Sequence, residues 1–273
     1  MKKIIVIFLL LLLIANFSYR IDLKRSHHEL VGELMYFPSG VALRALSMGF
    51  YAPLADLVWL RFIQYYGEHR QTDQRFDIMF HILDILTTLD QQFTYAYTLG
   101  GLMLTHDAQR PDQARQLMRK GIDTNPDDWR MPFIYAFVHY VFLREYRTAH
   151  AYFRLSSQKP GAPDMAQRWA AFVLHYKMDD LQSALVLWSD LYNTSENPEE
   201  RAIALKYIKN ITMELNIRYL QEKLEAFKNK TSRSPTSLAE LVATGLIDAI
   251  PEEPHDGYYF IRGDSVYSSW QEK

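Results

Sequence analysis

The chain contains no cysteine. Disulfides, thiolate zinc sites, cysteine nucleophiles and lipid attachment through an N-terminal cysteine are thereby excluded, and either redox compartment is suitable. Charge of one sign is not in excess: 30 basic residues against 32 acidic ones leave a net charge of −2. No global field draws the chain to phosphate-rich nucleic acid, so no nucleic-acid partner is expected. Signatures of catalysis are missing too. Gly100-Gly101 stands alone in a helix-like run, with no Lys-Ser or Lys-Thr behind it to complete a phosphate cradle. There is no G-x-S-x-G elbow, and Ser234-Pro235-Thr236-Ser237 reads as a cap or turn. His69, His81, His106, His139, His150, His175 and His255 are scattered with no H-E-x-x-H spacing. In His27-His28-Glu29 neighbouring side chains on a helix diverge by about 100°, a poor arrangement for co-ligands. Asp127-Asp128, Asp179-Asp180 and Glu252-Glu253 suit helix starts and solvated turns better than paired acid-base work. The expectation is a non-catalytic protein without cofactor or metal.

What the chain does have is enough apolar material to fold. Of its 273 residues, 48% are hydrophobic and 23% charged, which supports a substantial core and one elongated unit with a small appendage. The 18 Tyr, 15 Phe and 5 Trp suit the gaps between paired helices.

Met1-Lys2-Lys3 precedes an apolar run from Ile4 to Ala15, extended past Asn16 by Phe17 to Tyr19. As a helix, Ile4 to Tyr19 measures roughly 24 Å, short of the ~30 Å hydrocarbon core but tolerable when Lys3 and Arg20 snorkel. The exit offers no A-x-A pair, which favours an uncleaved anchor (1–19) over a removed signal. Lys2 and Lys3 on one side face Arg20, Lys24 and Arg25 on the other, so the positive-inside rule gives little orientation. The short basic tail ahead of the run looks like a bacterial export signal, placing the bulk of a single-pass protein in the periplasm, at the inner membrane.

The middle of the chain repeats every 35 residues. Ala114, Ala149 and Ala184 keep that step, each followed four positions later by a large apolar residue: Met118, Phe153 and Trp188. Gly101, Ala136 and Ala171 keep the same step 13 positions earlier, the offset of two short helices per unit whose small residues permit close approach. With a Pro near the end of each unit (Pro126, Pro160, Pro198), residues 55–198 resemble the tetratricopeptide repeat (TPR) family. The spacing predicts helix pairs over 94–104 and 111–123, 131–143 and 146–157, and 164–177 and 181–192, with a degenerate first unit from about Ala55 to Asp90. Residues 20–54 form a juxtamembrane helical region, with a break at Gly49 and Pro53; Leu57, Leu60 and Ile63 continue its apolar spacing.

That resemblance implies an all-α, right-handed helical-hairpin solenoid whose concave face, lined by the first helix of each pair, binds a peptide or a partner helix. Arg130, Tyr135, His139 and Arg168 are the candidate partner-binding residues, although helix-A aromatics (Tyr97, Phe133, Trp169) depart from the family's regular pattern. Residues 199–230 read as one long helix capping the array.

The last segment (231–273) changes character: a short helix over 238–246, an Ile250-Pro251 step, a Pro254-His255-Asp256-Gly257 turn, and a hairpin around Gly263-Asp264. In order and spacing, these elements resemble the C-terminal part of type II secretion pseudopilins. The N-terminus lacks the Gly-Phe-x-x-x-Glu processing signature, so polymerisation as a pilin is not expected. Taken together, the readings point to a scaffold for a membrane or envelope complex, such as a type IV pilus or type II secretion system. The alternative is an accessory subunit of a membrane transporter or polysaccharide exporter, although the anchor carries no small-residue stripe.

Overall fold

The computed structural model describes residues 39–272, together with Asn16 and Arg20. The expected anchor, Asn16 aside, and His27-His28-Glu29 lie outside the described residues, among which no helix is long and apolar enough to cross a membrane. Eleven α-helices and one two-stranded sheet make up the described chain: it is all-α with a small C-terminal α+β appendage. Two compact units divide it, Met1–Pro126 and Asp127–Lys273.

In the first unit, α1 (Gly40–Leu46), α2 (Tyr51–Gln71), α3 (Met79–Leu89), α4 (Thr94–His106) and α5 (Pro111–Thr124) follow one another. Phe62, Met79, Leu83, Leu86, Tyr97 and Leu104 fill its interior. A Cβ on Gly101 would stand 2.5 Å from Met118 Sδ, so α4 and α5 approach closer than a side chain there would allow. Lys120 Nζ clasps α3, donating to Asp84 Oδ1 at 2.7 Å and to Thr88 Oγ1 at 2.7 Å.

The second unit contains α6 (Arg130–Val138), continued by a π-helical turn (His139–Leu143), then α7 (Tyr146–Ser157), α8 (Asp164–Met178), α9 (Leu181–Thr194) and α10 (Pro198–Thr231). Each packs on the next. A short α11 (Ala239–Ala243) and the antiparallel pair β1 (Tyr259–Arg262) and β2 (Ser265–Ser268) complete it. The nine small and large residues of the 35-residue series, Gly101, Ala114, Met118, Ala136, Ala149, Phe153, Ala171, Ala184 and Trp188, are all buried.

The backbone carries the same period in a form that residue identity hides. Gln74, Gln109, Arg144 and Asp179 all adopt left-handed φ, at 55°, 56°, 56° and 55°, and each stands 35 residues from the next. None is glycine. At three of these turns the following amide reaches back six residues: Arg110 to Leu104 O, Glu145 to His139 O, and Asp180 to Leu174 O. These bonds, each following a left-handed residue, close the first helix of a pair and release the chain into the second. A left-handed conformation costs a non-glycine residue about 1 kcal/mol or more. Arg144→Gly is therefore expected to raise stability by about 0.5–1 kcal/mol, read as a higher urea midpoint; an unchanged or lower midpoint would remove strain from the account of this turn.

α10 belongs to two cores. Its first half supplies Ala204 and Ile211 to a cluster with Trp188, Leu191 and Ala184. Its second half supplies Met213, Leu220, Leu224 and Phe227 to a cluster with Leu238, Leu241, Ile247, Tyr259 and Val266. The appendage is thus built on α10 and has no separate interior.

Two boundaries differ from expectation. Pro53 sits in the first turn of α2, where its missing N–H would have had no intrahelical acceptor, so it does not break the helix. α11 stops at Ala243, because Gly245 takes φ +66° and Leu246 N turns back to Leu241 O at 3.0 Å. The expected extension to Leu246 overlooked that glycine stop. Leu57, Leu60 and Ile63, grouped by spacing with the core residues of α2, are exposed.

In the first turn of α11, Glu240 folds back onto the chain entering the helix. It accepts from Thr236 N at 2.8 Å and Thr236 Oγ1 at 2.6 Å, and from Arg233 Nη2 at 2.5 Å. The Arg233 guanidinium, then Thr236, pull its carboxyl down from the ordinary 4.5 to about 2. A depressed folded value means that the cap is fully stabilising above about pH 4.5 and is lost as pH falls through about 2. The Thr236 amide resonance is accordingly expected to hold steady to about pH 3 and then shift. A midpoint near 4.5 would show that the carboxylate is not held.

Candidate binding groove

Three helices of the second unit converge on an open groove of about 400 Å³. α8 contributes Arg168, Trp169 and Phe172, α9 contributes Trp188, and α10 contributes Ile203, Lys206 and Tyr207. Arg168 and Phe172, like Ile203 and Tyr207, are four residues apart and so share a helix face. The starts of α9 and α10 are capped, which fixes the rotation of each helix: Asp180 Oδ1 accepts from Ser183 N at 3.1 Å and Asn197 Oδ1 from Glu199 N at 2.9 Å, with Pro198 at the first helical position.

Aromatic contacts make the floor rigid. Trp188 lies flat against Tyr207, with centroids 4.2 Å apart and planes 9° apart. Trp169 stacks on Phe153 at 5.5 Å and meets Phe137, Tyr140 and Phe172 edge-on. Nearby, partial burial pushes the half-exposed Tyr176 hydroxyl up, helped by Tyr207 and Glu214.

The polar groups are few. Arg168 Nη1 donates to Glu200 Oε1 at 2.8 Å, and Lys206 is exposed at the rim. Trp188 Nε1 and Glu200 Oε2 are buried without a hydrogen-bond partner among the described residues. Such atoms are uncommon in folded proteins and call for a reason. Both atoms are enclosed by the packing around the groove and are not open to it.

Of the residues singled out from sequence, Arg168 lies in this groove and the other three do not line it. Arg130 starts α6 and binds Asp128 through Nε at 2.9 Å and Nη2 at 2.8 Å. Tyr135 and His139 are only 0% and 2% exposed, which corrects their reading as an accessible face. One helical turn apart, they face α7: the two rings are tilted against each other with centroids 4.4 Å apart, Tyr135 meets Tyr152 at 4.4 Å, and His139 Nδ1 lies 2.8 Å from Glu145 Oε2. Their packing role has a sequence mark that went unread. Tyr65 and His69, two periods earlier, repeat the arrangement at 4.5 Å with His69 Nδ1 2.6 Å from Asp73 Oδ1. Conversely, Phe172, Ile203, Lys206 and Tyr207 were not anticipated, because α10 read only as a cap and no spacing within one helix shows which residue faces Trp188.

Among the described residues, no cluster of His, Asp or Glu could hold a metal ion. No protein-family model matches the chain, and no curated protein matches it.

Proposed function

We propose that this protein is a non-catalytic, TPR-like helical scaffold that holds a protein partner in the α8–α10 groove. The observation that carries this reading is the pairing there of an aromatic floor, Trp169, Phe172 and Tyr207, with the basic side chains of Arg168 and Lys206. An extended segment of the partner lies along this groove. An apolar side chain on that segment fills the floor between Trp169, Phe172 and Tyr207, and a neighbouring carboxylate meets Lys206. The four left-handed turns at a 35-residue step support the repeat architecture. The apolar run Ile4 to Tyr19 supports attachment to the bacterial inner membrane, and the order of elements in the C-terminal appendage supports service to a pilus or secretion assembly, with the bulk of the chain in the periplasm.

The test uses charge reversal at the rim, where folding is least affected. Lys206→Glu is expected to leave the melt unchanged, since exposed substitutions shift stability by only about 0.5 kcal/mol. Capture of partners from solubilised membranes, quantified by mass spectrometry, is expected to fall at least about tenfold for the groove-dependent partner. Retention of every wild-type partner by this variant would exclude the groove as the working surface.

A further inference from the structure

α2 is apolar on two opposite sides. At about 100° per residue, Ala55, Val58, Phe62, Tyr65 and His69 share the side that is buried. Leu57, Leu60 and Ile63 lie on the other side with Phe50 just ahead of the helix, and they are exposed by 60%, 56%, 48% and 71%. Val41, Leu46, Met48 and Tyr51, earlier in the chain, are exposed as well. Among the described residues, eight of the nineteen exposed large hydrophobics thus fall between Val41 and Ile63, a density that a helix face meeting only water does not explain.

We infer that this α1–α2 face lies on the lipid bilayer, its apolar side chains in the interfacial layer. Two observations favour lipid as the occupant. The stretch from Gly40 to Gly67 holds a single acidic residue, Asp56, against Arg44 and Arg61, in a chain whose acids otherwise outnumber its bases. In addition, the continuously described stretch begins at Ser39, 20 residues beyond Tyr19, where the apolar run ends. Twenty residues reach about 30 Å as a helix and at most about 70 Å extended. Of the described helices, α1 and α2 are those tethered nearest the bilayer, and a tether of this length raises the effective concentration of lipid at their surface. The inference rests on membrane attachment through the N-terminal run and adds a second contact, which sets how the first unit is oriented against the membrane.

Because the chain has no cysteine, one substitution places one thiol. Full-length Leu57→Cys and Leu60→Cys, each labelled with nitrobenzoxadiazole, would be reconstituted into vesicles of phosphatidylethanolamine and phosphatidylglycerol, with Val186→Cys on α9 as the exposed control. A carbonate wash followed by flotation reports attachment, and quenching by acyl-chain nitroxide lipid reports contact. The expected result is retention on the vesicles, with the labels at 57 and 60 losing about half their emission to the nitroxide lipid or more, while the label at 186 is unaffected. Chain that stays attached but whose labels at 57 and 60 respond to aqueous iodide as the control does would overturn the inference alone. Labels shielded from iodide without lipid quenching would do the same, showing cover by a second copy or by residues before Ser39. Release by carbonate would overturn the attachment itself, and this inference with it.

Discussion

Replacing Trp188 with alanine is expected to destabilise the second unit by about 3–5 kcal/mol, the usual cost of removing a fully buried aromatic ring. The side chain has no exposed surface and fills the space between α9 and the first half of α10, against the Tyr207 ring. No nearby residue can close the gap cheaply, because Ala184 and Ala204 beside it are already minimal. Trp188→Phe separates shape from polarity. The indole N–H has no protein acceptor to lose, so phenylalanine sacrifices only part of the ring and costs less, about 1.5 kcal/mol. Urea unfolding followed by circular dichroism measures both. A Trp188→Ala loss under about 1 kcal/mol would show that this ring does not join the two helices.

The second large effect is expected at Glu253. This carboxylate is 8% exposed and accepts three hydrogen bonds: His255 N at 2.8 Å, Gly257 N at 2.9 Å and Ser268 Oγ at 3.0 Å. It ties the turn before β1 to the end of β2. Gly257 is there for space: a Cβ would stand 3.0 Å from Glu253 Oε2 and 2.7 Å from Ser269 Oγ, whereas the left-handed position of the turn is taken by Asp256 at φ 60°. Glu253→Ala leaves these donors without their acceptor, at about 1–3 kcal/mol each, and is expected to open the appendage. Hydrogen exchange should accelerate at the His255 and Gly257 amides and in α10 from Leu220 onward, while α6 to α9 stay protected. Unchanged protection at Gly257 would show that the turn does not depend on the carboxylate.

Much of the helical layout was legible because it is periodic. Ala114, Ala149 and Ala184 mark positions where only a small residue fits, and a 35-residue step shows in the sequence wherever packing demands a particular size. The left-handed turns were not legible for the converse reason: Gln74, Gln109, Arg144 and Asp179 share a backbone conformation but no side-chain chemistry. The groove was legible only at Arg168. Tyr135 and His139 misled because polar aromatic residues on a first helix suit a binding face and a core equally well from spacing alone, and the deciding partners, Tyr152 and Glu145, come from the next helix and the turn before it. The outward face of α2 was hidden by its own composition, since Leu57 and Leu60 read as core when apolar spacing is the only guide.

α10 also works as a ruler. Seventeen residues separate Tyr207, at the groove, from Leu224, under the hairpin, and on a continuous helix that is about 25 Å of fixed axial distance. Distance and bearing are coupled on such a rod. Lengthening it by one turn slides the hairpin about 5 Å while nearly restoring its heading, whereas adding two residues swings it by about 200°. A machine that engages both ends of this helix must therefore match a pitch as well as a span, and relatives of this chain should vary α10 between Tyr207 and Leu224 in whole turns or not at all.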